Sequence, residues 1–355
     1  MQPVGSTRTH GRSLAYPFET PPQGEELIEV APGIHWFRLT LPFQLNHVNL
    51  YLVADDAGYV LIDTGLGNRR TLETWRTLLA GALKPYPISR IVVTHFHPDH
   101  VGAVGFLAKE LQVPVYMPTT EYLMAQITDL NPGAMEQPHH RAFYREHGLS
   151  QETVDNVVTK GHEYLRLVSG LPHTYRRLIA GDTLQIGARR FEVLTGGGHS
   201  PEQAMLLSRE DDIFLAADQV LAQITPNVSV HSTDPTGDPL GIYIRSLREL
   251  QKTVPAGALV VPGHQLPFRG LSERVEELIA HHHVRCGEMA AAARKGPCST
   301  ADFITAVFKR PLDPHQIGFA FAEILAHVNF MLRAGQLVED GRKDGVVRYV
   351  SPRSP

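Results

Sequence analysis

Apolar positions change period several times along the chain, and each change predicts an element. Near the start, "GIHWFRLT" (33–40), "HVNLYLVAD" (47–55) and "GYVLIDTG" (58–65) are short apolar or alternating runs separated by Pro and Asp/Gly signals. They predict a β-meander. "NRRTLETWRTLLAGAL" (68–83) spaces Leu72, Trp75, Leu78 and Leu79 at near-helical intervals behind Asn68, a residue type that caps helix N-termini. "ISRIVVTH" (88–95) reads as a buried strand, "VGAVGFLAKELQ" (101–112) as a helix whose small residues permit close backbone approach, and "VPVYMP" (113–118) as a strand.

The rhythm breaks between 118 and 180. "TTEYLMAQITDL", "HHRAFYREHGLSQETVDNVVTKGHEYLRLV" and "LPHTYRRL" look helical and carry many aromatic and basic side chains, which predicts a helical insertion. Strand patterns return with "DTLQIGARRFEVLTGGGHS", "AMLLSREDDIFLAAD" and "ALVVPGH", so strands and helices alternate in blocks and the class is α/β. From about 272 the chain turns helical. "STADFITAVF" opens on a capping residue, "FAFAEILAHVNFMLRAG" is an apolar helix closed by Gly335, and "QLVEDGRKDGVVRYV" reads as a β-hairpin. Helices followed by a hairpin suggest a winged-helix-like module. The expected organisation is a flexible arm over 1–24, a main domain over 25–285 that contains the 118–180 insertion, and a C-terminal winged-helix-like domain over 286–355.

Composition narrows the field. With 43% hydrophobic residues, the 355-residue chain can bury a large core, while a net charge of −4 gives no general attraction to nucleic acid or anionic membrane. Its two cysteines, Cys286 and Cys298, cannot form a disulfide framework and lie in no metal-ligand spacing, so ordinary reduced thiols are expected. The N-terminal stretch is polar, has no apolar signal segment, and no later run approaches a membrane span. A cytoplasmic protein with no membrane partner is the expectation.

Chemistry concentrates in "THFHPDH" (94–100), which puts His95, His97, Asp99 and His100 into six positions directly after a strand. Imidazoles and carboxylates suit zinc and related borderline metals, whereas a magnesium or calcium site would be dominated by oxygen. His95 and His97 can converge where the strand ends and Pro98 enforces a turn, while Asp99 and His100 point away from that pair. Two metals a few ångströms apart would use all four. Further ligands are then needed downstream, and His199 in "TGGGHSPE", Asp218 in "FLAADQV" and His264 in "VVPGHQ" each sit at a strand-to-loop junction.

"LIDTG", "THFHPDH", "GGGHS", "AADQ" and "PGH" together resemble the metallo-β-lactamase superfamily in order, residue type and spacing across residues 30 to 270. The resemblance implies an αββα sandwich with two metals at one edge. It implies His95, His97 and His199 on the first metal, Asp99, His100 and His264 on the second, and Asp218 between them. Asp63 would orient a ligand or the backbone without binding metal. Two zinc ions are the implied cofactor, with iron or manganese as the alternatives. The implied chemistry is hydrolysis by a metal-bridging hydroxide, with Asp99 accepting a hydrogen bond from that nucleophile.

Other candidates carry less. His281, His282 and His283 fan out by about 100° per residue on a helix and cannot converge on one ion, so a helix surface with one of the three buried at most is expected. His139 and His140 divide evenly between lining a pocket and simple exposure. The insertion is expected to act as a lid whose Tyr122, Phe143, Tyr144 and Tyr164 shape an apolar substrate pocket. Residues 314 to 334 contain one Arg and no Lys, which gives little support to a phosphate-tracking helix. Arg342, Lys343 and Arg348 make only the hairpin basic.

The leading expectation is a dinuclear zinc hydrolase cleaving a small-molecule thioester, as in glyoxalase II relatives, or an ester or lactone. A metal-dependent endoribonuclease or phosphodiesterase comes second, because relatives with a winged-helix-like C-terminal domain include such enzymes. A non-catalytic regulatory binding protein comes third, disfavoured by a full ligand set. The expected partner is a small acyl substrate; nucleic acid is disfavoured and a homodimer is left open. β-Lactam hydrolysis is a poor expectation, since a shared scaffold hosts many substrates.

Overall fold

The computed structural model describes residues 14–131, 133 and 136–352. A seven-stranded sheet runs in chain order through β1 (Ile28–Ala31), β2 (Ile34–Thr40), β3 (His47–Asp55), β4 (Gly58–Ile62), β5 (Ile88–Val92), β6 (Val115–Pro118) and β7 (Arg176–Leu178). The first four strands pair antiparallel, as the meander predicts, and β4 to β7 pair parallel. A five-stranded sheet contains β8 (Thr183–Ile186), β9 (Arg189–Gly196), β10 (Gln203–Ser208), β11 (Ile213–Ala217) and β12 (Leu259–Pro262), in the order β12-β11-β10-β9-β8. Only β11 and β12 are parallel in it.

Strand alternation builds the layers. In β2 and β3, Ile34, Trp36, Tyr51 and Val53 face a core shared with Phe191, Val193, Leu206 and Leu215 of the second sheet. The intervening Phe37, Leu39, Leu50 and Leu52 face a second core. There they meet Trp75 and Leu78 of α1 (Arg69–Ala80), Leu107 of α3 (Val104–Leu111) and Tyr122 of α4 (Thr119–Leu130). Each fully buried large side chain of this kind contributes about 1.5–3 kcal/mol. Between α1 and α3 lies the one-turn helix α2 (Pro98–Val101).

The remaining helices are α5 (Pro138–Glu146), α6 (Gln151–Leu165), α7 (Pro239–Thr253), α8 (Leu271–Ala293), α9 (Thr300–Val307) and α10 (Pro314–Arg333), followed by the hairpin β13 (Val338–Lys343) and β14 (Val346–Val350). Asn68 caps α1 by accepting from Thr71 N–H, and Ser299 forms a capping box on α9 with Asp302, so both predicted caps are present. No described helix is long and apolar enough to cross a membrane.

The chain divides into two compact units. The first comprises Met1–Asn131, Leu165–Pro226 and Leu247–Val275, and the second Pro132–Tyr164, Asn227–Ser246 and Glu276–Pro355. The boundary expected at 285/286 lies inside α8, which has no proline or cap signal to stop it there.

Several expectations need correction. "LPHTYRRL" is not helical: Arg176–Leu178 forms β7, pairing with Tyr116–Pro118, and its two exposed arginines hide the strand pattern. Residues 1–13 of the expected arm lie outside the described residues, but from residue 14 the chain is docked. Ala15 forms an antiparallel bridge with Arg269, and Phe18 packs edge-on against Trp36 at 6.3 Å. Of the four aromatic residues expected to shape a substrate pocket, Tyr122, Phe143 and Tyr144 are buried in packing contacts. Tyr122 stacks on Tyr175 at 4.0 Å and donates its hydroxyl to Pro172 O. Phe143 and Tyr144 are buried against Phe321 of α10, at 5.5 and 4.9 Å. The side chain of Tyr164 lies outside the described residues.

Candidate metal centre

Every expected ligand sits where a strand of the first unit ends. β5 leads through Thr94 into His95 and His97, and Pro98 at the first position of α2 makes His97 its cap and winds Asp99 and His100 into a single turn. β9 runs out through Gly197 and Gly198 to His199, β11 into Asp218, and β12 through Gly263 to His264. Gly263 is required by close approach: a Cβ there would lie 2.2 Å from Asp218 Oδ1 and 2.9 Å from His100 Cε1.

The seven side chains converge. Ligand atoms of His95, His97 and His199 lie within 4.8 Å of one another, as do those of Asp99, His100 and His264. A third set, His95, His100 and Asp218, joins the two halves. The expected divergence of His100 from the His95/His97 pair is therefore only partial, because the one-turn helix brings the His95 and His100 rings to 4.1 Å. His97 Nδ1 and His199 Nε2 stand 3.1 Å apart. Asp218 Oδ2 is 3.2 Å from His264 Nε2, 3.5 Å from His100 Nε2 and 3.6 Å from His199 Nε2.

Outward-facing hydrogen bonds fix which nitrogen three of the five imidazoles present. Asp63 closes β4 with φ 61°, and its carboxylate accepts Thr94 N–H at 2.8 Å and the Thr94 hydroxyl at 2.9 Å. Asp63 Oδ2 also accepts His100 Nδ1–H at 2.8 Å, so Nε2 of His100 faces the centre. Thr94 Oγ1 accepts His95 Nδ1–H at 2.9 Å, and His264 Nδ1–H donates to His47 O at 2.7 Å. Such partners set tautomer and ring orientation and raise ligand basicity. Asp63 thus holds both the His100 ring and Thr94.

Burial and charge leave the centre suited to cations. His95 Nε2 and Asp218 Oδ1 are buried with no hydrogen-bond partner among the described residues, a costly state for structural residues and a normal one for ligands. Burial and the surrounding imidazoles hold His95 and His97 well below the ordinary histidine range, in the neutral form that binds metal. In the other half burial pulls His100 and His264 down. The carboxylates of Asp218 and Asp99, joined for His100 by Asp63, outweigh it, holding His100 well above its usual value and raising His264 to about 9. Burial pushes Asp99 and Asp218 up, yet His100 and His264 overcome it and keep both carboxyls depressed. His97 and Asp99 are only partly buried, so this side of the cluster is the one reached by solvent.

Sequence reasoning missed a further carboxylate. Glu121, in the first turn of α4, is fully buried. Its Oε2 accepts Phe96 N–H at 3.0 Å, and its Oε1 accepts the Ser200 hydroxyl at 2.9 Å and Glu202 N–H. It therefore ties the His95–His97 loop to the His199 loop. Loss of solvation raises it to about 7 against the pull of those donors. Its position just past a strand end, like every ligand, is the signal that could have found it. Asn49 was also missed: its Nδ2 donates to Pro262 O and Gln265 O, both at 2.9 Å, bracing the His264 loop.

The other histidine candidates lie elsewhere. His140 bonds the Ser232 hydroxyl and sits edge-on to Tyr144, both within the second unit. Of the histidine triplet, His282 is buried. Cys286 is buried and Cys298 partly buried, both free thiols.

Comparison with known proteins agrees with this geometry. The family model described as Metallo-beta-lactamase superfamily matches residues 44–264, and the one described as Metallo-beta-lactamase-like, C-terminal domain matches residues 286–352. A solved beta-lactamase domain protein from Burkholderia ambifaria is 37% identical with a TM-score of 0.87, over 96% of this chain and 99% of that one. The probable metallo-hydrolase YqjP of Bacillus subtilis is 24% identical over 68% of this chain and 74% of its own length. The atrochrysone carboxyl ACP thioesterase of Aspergillus fumigatus is 21% identical over 75% of this chain and 70% of its own. With a family match spanning most of the chain and His and Asp clusters able to hold divalent metal at the strand ends, the chain belongs to the metallo-β-lactamase superfamily and is a metallo-hydrolase of that fold.

Proposed function

We propose that the protein is a dinuclear zinc hydrolase that cleaves a thioester or ester bond, lactones included, in a small acyl substrate. The observation that carries this reading is the pair of three-residue ligand sets joined by Asp218. The chemistry such a metal pair supplies is a water acidified toward neutrality as nucleophile, with charge stabilisation at the oxygen of the bond under attack. His95, His97 and His199 would hold one ion, Asp99, His100 and His264 the other, and Asp218 would bridge. Asp99, held ionised and partly exposed, would accept a hydrogen bond from the attacking water and fix its direction. Asp63, Thr94 and Glu121 keep the ligands in place. The thioester preference draws on the likeness to a fungal thioesterase, which is distant.

The test is a panel of thioesters, lactones, carboxylic esters and phosphodiesters offered to zinc-loaded protein, with bound metal measured alongside. Turnover confined to phosphodiesters would overturn the reading. His97→Ala is expected to abolish turnover while leaving the circular dichroism spectrum unchanged, and equal turnover in that variant would break the metal assignment.

A further inference from the structure

The second unit contains a cluster that the hydrolytic centre does not use. His282 on α8 and His327 on α10 are both buried, and Glu323 stands one helical turn before His327 on the same face of α10. A ring nitrogen of each histidine and a carboxylate oxygen of Glu323 lie within 4.8 Å of one another. The geometry points to a separate site for one zinc-class divalent ion, held by His282, Glu323 and His327.

Three observations support it. First, the donor set of two histidines and one carboxylate leaves a fourth position open, a composition zinc adopts where it binds water or another exchangeable ligand. His282 Nδ1 and His327 Nε2 are 3.1 Å apart, close to the edge of about 3.3 Å for a tetrahedron with bonds of about 2.0–2.1 Å. Second, the His327 ring is already set for ligation. Its Nδ1–H donates to Glu323 O at 2.8 Å, leaving Nε2 as the lone-pair nitrogen directed at His282.

Third, hydrogen bonding alone does not account for the pair. If His282 Nδ1–H donates to His327 Nε2, the other nitrogen of His282 is left buried without a partner among the described residues. A histidine buried for packing normally has both nitrogens satisfied. An ion bound at His282 Nδ1 would displace the hydrogen between the two rings, with the single proton of the His282 ring carried on Nε2. Glu323 completes the set from a partly buried position. Arg285, a neighbouring cation, is engaged by Glu288 at 3.1 Å and by Val307 O at 3.3 Å. Tyr243 covers the His282 ring edge-on at 5.7 Å.

The experiment is equilibrium dialysis of the full chain against zinc, with metal per chain read by elemental analysis. Glu323→Gln, close to isosteric, is expected to bind one equivalent fewer than the wild-type protein, whatever number the hydrolytic centre holds. His95→Ala/His97→Ala/His264→Ala, which cripples that centre, is expected to keep one tight equivalent and lose it when Glu323→Gln is added. Cobalt(II) in the triple variant should give the visible absorption of a tetrahedral site. A Glu323→Gln protein with the wild-type zinc content would overturn the proposal, as would a folded triple variant that binds no metal. Should the triple variant fail to fold, the comparison of wild type with Glu323→Gln decides alone.

Discussion

Gly263→Ala tests whether the geometry of the metal centre, and not merely its residue types, sets activity. The added methyl would stand 2.2 Å from Asp218 Oδ1, where real Cβ contacts essentially never fall below 3.0 Å, so about 0.8 Å of movement is forced. The backbone cannot supply it easily. Gly263 N–H donates to Ala217 O at 2.8 Å, and Gly263 O accepts Asn49 N–H at 2.7 Å, holding the residue from both sides. Its φ lies outside the left-handed region, so alanine adds no backbone strain of its own and the clash is the whole perturbation. Asp218 therefore has to give way. A displacement approaching 1 Å at a positioned group costs roughly 10²-fold in rate, so kcat/KM on the substrate found in the ester panel should fall by about that factor. Overpacking should cost the metal-free protein only about 1–3 kcal/mol. Gly257→Ala is the control, because a Cβ there meets nothing within 4 Å. The assay is kcat/KM with bound zinc and the thermal midpoint measured in parallel. A Gly263→Ala protein with wild-type turnover and metal content would refute the argument.

Glu121→Gln keeps the shape but sets an amide against three donors, so about 1–3 kcal/mol of stability should be lost and zinc bound by His95, His97 and His199 should weaken. Calorimetric zinc titration checks it, and an unchanged affinity would reduce Glu121 to a packing role. Trp75→Phe removes the indole N–H that reaches Thr64 O at 2.8 Å from a fully buried ring, at a cost of about 2–4 kcal/mol in urea unfolding. Asp55 binds Arg90 through two 3.0 Å contacts and accepts from Ser89 and Gly187; these outweigh burial and depress its pKa below 3.8. A depressed carboxylate stabilises fully above its unfolded value of 3.8, and that stability is lost as pH falls through the lower folded value. Asp55→Asn should therefore be less stable than wild type by about 1–3 kcal/mol at neutral pH, with the two curves converging in acid. A constant gap in acid would contradict the assignment.

What could be read from the sequence depended on whether the short-range chain geometry alone brings residues together. His95, His97, Asp99 and His100 fall on a strand end and one helical turn, so a stretch of six residues announces the centre, and the remaining ligands follow because each closes an apolar strand. Glu121 obeys the same strand-end rule, yet a single glutamate opening an amphipathic helix looks identical whether it faces water or holds two loops together. β7 was hidden because two of its three residues are exposed arginines, leaving no alternation to detect. Phe143 and Tyr144 are adjacent aromatic residues on α5, and such residues read the same in sequence whether their partner is a ligand or, as here, Phe321.

The histidine triplet shows the sharpest form of this limit. His281, His282 and His283 fan out on one helix and are not expected to share an ion among themselves. It did not follow that all three were idle, because ligand sets need only one residue from each element. His282 meets His327 from 45 residues away, where periodicity gives no information about which helix faces will oppose each other. A run of potential ligands on one helix should therefore be examined one residue at a time. The informative member is the buried one, because its ring alone is turned toward a ligand on another helix.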